Sequence, residues 1–254
     1  MQQWARSQSA LWLFLDYDGT LAEFAPDPGH AQPDSRVVDL LTRLAKARRP
    51  VRRVAVLSGR ALTSLRTLLP VEGIFLAGVY GLEILTPEGE TIRQIDAKNL
   101  EAALSAMRSR WQAIIGARPG FFLEDKGLSL ALHARWASEP DALDVLEQAR
   151  KAVNSVPGGN HLGVLGGHRF LEVVPPMAGK GEAVNLLLRK FPLPDSRPLY
   201  FGDDDKDEAA FPVVHANGGM AVKIMQPAQA SQPTTADLRL PSPAHALDWL
   251  ESIA

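Results

Sequence analysis

An α/β fold is predicted for this chain: a doubly wound parallel sheet with an α+β unit inserted into it. Three observations predict it. Short apolar runs alternate with helical patterns at both ends of the chain, as in βαβ units. The first run, residues 11–15, is apolar at every position, as strands covered on both faces are. Between the two α/β stretches the pattern changes to pairs of strands bracketing helices.

Taken in order, the first strand runs straight into Asp16-Tyr17-Asp18-Gly19-Thr20. Residues 25–33 carry Pro26, Pro28, Gly29 and Pro33, and read as a loop. Asp34 or Ser35 can cap a helix to about residue 48, whose apolar face is Val37, Leu40, Leu41 and Leu44. A second buried strand over 51–57 ends at Ser58-Gly59-Arg60. A short helix over 62–69 stops at Pro70, and a third strand over 74–77 enters Gly78-Val79-Tyr80-Gly81. A hairpin follows, with strands at 82–85 and 91–95 around Pro87-Glu88-Gly89.

The amphipathic stretch 98–115 predicts a longer helix. Strands are expected at 121–123, 128–134, 162–165 and 170–174, with a helix over 141–153 between the pairs. Residues 98–174 are therefore taken as the inserted unit, and 1–97 with 175–254 as the core. The parallel pattern resumes with a helix over 181–189 and a strand over 198–201 that enters Gly202-Asp203-Asp204-Asp205-Lys206-Asp207-Glu208. A helix starting at 209–211, a strand at 220–224, a polar loop over 227–235, a strand at 238–240 and a helix over 244–253 complete the chain.

Composition narrows the function. The 254 residues carry a formal net charge of −2 and no run of like charges that reads as a tail, so no basic field is offered to nucleic acid. The absence of cysteine removes disulfide and thiolate chemistry, and fits a reducing compartment. The apolar run at 11–15 is too short, and too soon charged, for a signal peptide or membrane span. A cytoplasmic, monomeric protein without membrane contacts is the expectation.

Asp16 and Asp18, at i and i+2 beyond a buried strand, can face one point, where open sheets of this kind bind ligands. The alternative is an ordinary polar turn. The acidic run at 203–208 would be self-repelling unless it met a cation. A hard ion such as Mg²⁺, which takes oxygen ligands and shares them with a phosphate, accounts for it better than a solvated turn. With metal and phosphate in view, one carboxylate can serve as nucleophile and a second as acid and base. Ser58 and Lys180 would stabilise phosphoryl oxygens. Gly19 and Gly59 would let backbone N–H groups approach, and Arg60 can grip phosphate in a bidentate way. Glu124 and Lys126 share one strand face, and Glu172 can join them. That patch is either a salt-bridged sheet surface or a grip on a hydroxyl-rich ligand. His133 is as consistent with a structural role as with a contact.

In this combination the chain resembles the haloacid-dehalogenase-type phosphatases over essentially its whole length, and within them the trehalose-6-phosphate phosphatases. The motifs are Asp16-Tyr17-Asp18-Gly19-Thr20-Leu21, Leu57-Ser58-Gly59-Arg60, and Gly202-Asp203-Asp204 with Asp207-Glu208. Glu124-Asp125-Lys126-Gly127-Leu128-Ser129 with His133 and Arg135, and Leu171-Glu172-Val173, match their larger cap. The resemblance implies a haloacid-dehalogenase-like core with an α+β cap, Asp16 as nucleophile and Asp18 as acid/base. It implies Mg²⁺ on Asp16, the Asp18 carbonyl and Asp203, with Asp204 and Asp207 close by. Thr20 would lie on the phosphate side, and Glu124, Lys126 and Glu172 would meet sugar hydroxyls. The implied substrate is a phosphorylated disaccharide. Another glycoside phosphate such as a glycosyl-phosphoglycerate, a sugar phosphotransferase or mutase, and a non-catalytic phosphosugar-binding module are the alternatives. Tyr80, Val174 and Lys206 stand where the family tends to have His, Arg and Thr.

Overall fold

The computed structural model describes residues 2–24, 31–48, 51–167, 169–226 and 233–254. Of the loops expected over 25–33 and 227–235, residues 25–30 and 227–232 lie outside the described residues. The chain divides into two compact units: Met1–Ile92 with Gly179–Ala254, and Arg93–Ala178.

In the first unit, β1 (Ala10–Asp16), β2 (Val51–Leu57) and β3 (Phe75–Gly78) lead to a hairpin, β4 (Glu83–Leu85) and β5 (Thr91–Arg93). The second unit holds β6 (Phe122–Asp125), β7 (Leu130–His133), β8 (Gly163–Gly167) and β9 (Phe170–Val174). The chain then returns through β10 (Ser196–Gly202), β11 (Met220–Ile224) and β12 (Leu238–Leu240). The core sheet has the order β12-β11-β10-β1-β2-β3-β4-β5. It is parallel from β12 to β3, and β4 runs antiparallel to β3.

β1 is central because every one of its residues is buried. Leu11, Leu13 and Leu15 enter one apolar cluster with Leu40, Leu44 and Leu250. Trp12 and Phe14, stacked at 4.4 Å, enter the other with Val184 and Phe211. Fully burying such a side chain contributes about 1.5–3 kcal/mol, so a polar residue within this run would be costly. From β1 the chain winds to β2 on one side and later to β10 on the other. The carboxyl end of β1 is therefore the topological switch point, where sheets of this kind open a crevice for ligand.

The helix Ser35–Lys46 starts where its cap is made: the Asp34 carboxylate accepts from the amides of Arg36 (2.8 Å) and Val37 (3.4 Å). Its buried residues are Val37, Leu40, Leu41 and Leu44. After β10 the acidic run, expected as a loop, holds a short helix, Asp205–Glu208, and the helix expected from 209–211 follows as a second, Phe211–Ala216. Pro212, in the first turn of the second, cannot donate an amide back to the first. A short N-terminal helix, Gln2–Ser7, has no counterpart in the sequence reading; it buries only Ala5.

The second unit is a four-stranded antiparallel sheet of order β6-β7-β9-β8, packed by the helices Lys98–Ile115 and Glu139–Ala152. Alternation sends Leu130, Leu132, Leu171 and Val173 toward the helices, and all four are buried. Arg150, on the second of these helices, lies against Gly166 beside Leu171 and fixes which face the helices cover. No described helix is long and apolar enough to cross a membrane.

Candidate active site

Asp16 ends β1 and is buried. Its Oδ1 accepts from Lys180 Nζ at 2.7 Å and its Oδ2 from Thr20 Oγ1 at 3.1 Å. The turn beyond it is tied by the Tyr17 carbonyl, which accepts from the amides of Leu21 and Ala22, and by Gly19 N donating to Ala22 O at 2.7 Å. Gly19 has φ +83°, and a Cβ there would collide with the Asp203 carboxylate. Both the left-handed backbone and the close approach require glycine. Gln226 Nε2 holds the Gly19 carbonyl from the other side at 2.9 Å.

Ser58 follows β2, its amide bonded to Ala77 O at 2.9 Å and its Oγ to the Arg60 amide at 3.1 Å. Val79 and Tyr80, both with positive φ, donate their amides to Arg60 O and Ser58 O and so clamp the Ser58–Gly59–Arg60 segment. A β-branched residue in that conformation is strained, and such strain persists where surrounding contacts fix it, often beside a site. The Tyr80 ring lies where a Gly59 side chain would be. Arg60, expected as a phosphate partner, reaches Asp18 with two parallel bonds: Nε to Oδ2 and Nη2 to Oδ1, each 2.7 Å. The same guanidinium sits 5.8 Å from the Tyr17 ring centroid.

The acidic run folds around Asp207 rather than around solvent. Asp207 Oδ2 accepts from the amides of Asp203 and Asp204, both at 3.0 Å. Its Oδ1 accepts from Lys180 Nζ and Tyr200 OH, both at 2.7 Å. Those four bonds use the four acceptor sites of a carboxylate, so Asp207 braces the loop and orients Lys180. Asp204 caps the helix Asp205–Glu208 through the amides of Lys206 and Asp207, and Lys206 Nζ bonds its Oδ2 at 3.0 Å. Asp203 differs: its buried Oδ2 has no hydrogen-bond partner among the described residues. Asp16, Asp203 and Asp207 place one oxygen each within 4.8 Å of one another.

Electrostatics follow from this crowding. Burial, then the charges of Asp207 and Asp204, push the Asp203 carboxyl up to about 7. Burial also raises Asp16, against the opposing pull of Lys180. Burial alone would lower Lys180, but Asp16, Asp207 and Asp204 outweigh it and hold its ammonium well above the usual range. An orphaned buried oxygen in a cluster of hard carboxylates is what a divalent cation satisfies, and these residues suit one. Asp16, with one partner on each oxygen, and Asp203 keep the acceptor capacity to hold it.

All the core residues expected at the site are thus brought together: Asp16, Asp18, Gly19, Thr20, Ser58, Gly59, Arg60, Lys180, Asp203, Asp204 and Asp207. Tyr200 and Gln226 were not anticipated. Tyr200 sits in an apolar strand and reads as a core aromatic, and nothing local marks Gln226. In the second unit, Lys126 Nζ bonds Glu172 Oε1 at 3.0 Å and lies 3.9 Å from Glu124, while Ser129 Oγ donates to the same Glu172 oxygen at 2.6 Å. His133 Nε2 is 2.9 Å from Glu124 Oε2. Glu172 is fully buried, so this is not a solvated salt-bridged surface.

The fold that carries this site has counterparts among solved structures of the haloacid-dehalogenase-like class. One structure of that class, a haloacid dehalogenase-like hydrolase from Bacteroides thetaiotaomicron, superposes with a TM-score of 0.65 at 16% identity over 96% of this chain and all of the other. The C-terminal domain of a C. albicans trehalose-6-phosphate phosphatase superposes with a TM-score of 0.82 at 22% identity, covering 98% and 93%. Among sequences, the Escherichia coli (strain K12) trehalose-6-phosphate phosphatase is 33% identical over 94% of this chain and 85% of its own length. A trehalose-phosphate phosphatase of Mycolicibacterium paratuberculosis is 33% identical over 95% of this chain, which spans only 61% of that relative. The trehalose-phosphatase family model matches residues 14–244, and the chain belongs to that family.

Proposed function

We propose that this chain is a divalent-cation-dependent phosphomonoesterase that removes phosphate from trehalose 6-phosphate through an aspartyl-phosphate. The observation that carries the reading is Asp16. It is a buried carboxylate at the switch point, steadied by Lys180 and Thr20 and set against the orphaned oxygen of Asp203. The named substrates of relatives in the family supply the sugar.

In this reading the Asp16 carboxylate attacks phosphorus as the bond to the sugar oxygen breaks, and Asp18 gives that oxygen its proton. Asp18 then takes a proton from water, which attacks the acyl phosphate and frees both phosphate and Asp16. The Arg60–Asp18 bond pair takes two of the four acceptor sites of the carboxylate, so it orients Asp18 and leaves the others for either transfer. Lys180 and Ser58 stabilise the phosphoryl oxygens. A bound cation, for which Mg²⁺ suits the all-oxygen set, neutralises phosphoryl charge; Asp16 and Asp203 would hold it, with the Asp18 carbonyl. Glu124, Lys126 and Glu172 bind sugar hydroxyls.

Phosphate release from trehalose 6-phosphate, set against a panel of sugar and glycerate phosphates, tests the substrate. Lack of preference for trehalose 6-phosphate would sink that part. Asp16→Asn, nearly isosteric, should fold normally and lose turnover; unchanged release would remove the nucleophile.

A further inference from the structure

One face of the second unit's sheet is turned away from its helices. Register places Phe122, Glu124, Ala131, His133, Phe170 and Glu172 on that face. Its two ends differ in chemistry. Toward one lie Lys126 and Glu172. Toward the other, Phe122 stacks on His133 at 4.3 Å with planes 5° apart, His133 meets Phe170 at 5.3 Å, and Trp136 stands 5.6 Å from Phe122. Trp136 is 57% exposed although it is the largest side chain in the group.

The turn that carries Trp136 is unusually constrained. Arg169, itself at φ +61°, donates Nη1 to the carbonyls of Ala134, Arg135 and Ala137, at 3.3, 3.4 and 2.6 Å, and Nη2 to Glu139. Gly120, at φ +85°, lets the turn before β6 press on the Trp136 backbone where any Cβ would collide. A strained arginine and a required glycine thus hold an exposed indole in place beside the polar patch. Strain of this kind persists where the surroundings over-determine it, as they do in ligand clamps.

We propose that Trp136, with Phe122 and Phe170, is a stacking subsite for the neutral pyranose ring of a disaccharide phosphate. The inference rests on the phosphatase reading above and adds which ring the protein reads, and with what. Sugar rings present C–H groups on one face, which pack on aromatic faces, while their edge hydroxyls need polar partners. Both are offered here side by side, with Glu124 and His133 at the junction. Glu124 lies two positions along the strand from Phe122, about 7 Å, so the strip from Glu124 to Trp136 is about 12 Å long, room for two rings. Lys126 lies at the end away from Trp136, paired with Glu172 at 3.0 Å and 3.9 Å from Glu124, so that end offers hydrogen bonds to hydroxyls rather than an uncompensated charge. A phosphate dianion is disfavoured against Glu124 and against aromatic faces, so the ring that stacks is the uncharged one.

Trp136→Ala tests this, because an exposed side chain can be removed without unfolding the unit. Its KM for trehalose 6-phosphate should rise about tenfold, the scale of one lost aromatic contact. The kcat should change little, the kinetics with glucose 6-phosphate, which lacks the second ring, should not change, and Trp136→Phe should recover most of the loss. Equal losses on both substrates, or none on either, would overturn the subsite while leaving the phosphatase reading intact. If the wild-type protein hydrolyses neither substrate, the phosphatase reading fails. The subsite is then judged by titrating free trehalose against the Trp136 indole N–H resonance, assigned by its loss in Trp136→Phe. A shift supports the subsite, and an unmoved resonance removes it.

Discussion

Arg60 and Asp18 form a fork-on-fork contact in the site, and its geometry carries a prediction. A guanidinium presents two parallel N–H groups, whereas a lysine ammonium is a point charge that cannot match both carboxylate oxygens. Arg60→Lys should therefore leave the fold unchanged and lower kcat about tenfold, ~1.4 kcal/mol in the barrier, with a smaller change in KM. Steady-state kinetics check this; wild-type kcat in the variant would show that Asp18 needs no such partner. At this scale the sequence is informative where chemistry is unusual for its setting. Asp16 and Asp18 stand out because carboxylates rarely follow five apolar residues, and Asp203 because five neighbouring acids need an explanation. The division of labour among those acids was not legible. Asp207 as a brace and Asp203 as the oxygen left over depend on Lys180 and Tyr200, which reach them from other strands and helices.

Elements were legible where the apolar pattern had a single reading. β2, β9, β11, β12 and the helix Lys98–Ile115 fall where the pattern places them, because each buries a continuous run or one clean stripe. The short helix Asp205–Glu208 had no such pattern: its acids carry no apolar stripe, and the capping box of Asp204 and Asp207 sets it. The clamp at Val79 and Tyr80 was also hidden: nothing in Gly78-Val79-Tyr80-Gly81 announces two left-handed non-glycine residues. A test of element stability is the cap at Asp34. Asp34→Ala removes the acceptor of two amides and should destabilise the protein by about 1 kcal/mol. Denaturant unfolding should show the loss, and kcat/KM should be unaffected, because this helix contributes no group to the site.

For the molecule as a whole, the crowded acids set how stability depends on pH and metal. Asp203 titrates near 7 in the fold and near 3.8 when exposed. The folded state therefore holds a proton that the unfolded chain releases, a contribution present below about pH 4 and lost as pH rises through 7. A cation replaces that proton. Mg²⁺ should raise Tm little at about pH 5 and clearly at about pH 8, where about a hundredfold excess over Kd contributes about 2.7 kcal/mol. Thermal scans with and without a chelator measure it; equal shifts at both pH values would contradict the assignment of Asp203. The placement of β1 also governs the order in which the chain can assemble. Ala10 pairs with Val51 on one side but with Ser196 on the other. Unit Arg93–Ala178 is continuous, so a nascent chain can complete it before β10 has left the ribosome. Its amides should accordingly gain protection from hydrogen exchange ahead of those joining β1 to β10 in pulse-labelled refolding. Asp16 waits on one edge of a half-built sheet for Asp203, and the cation site is among the last things the chain makes.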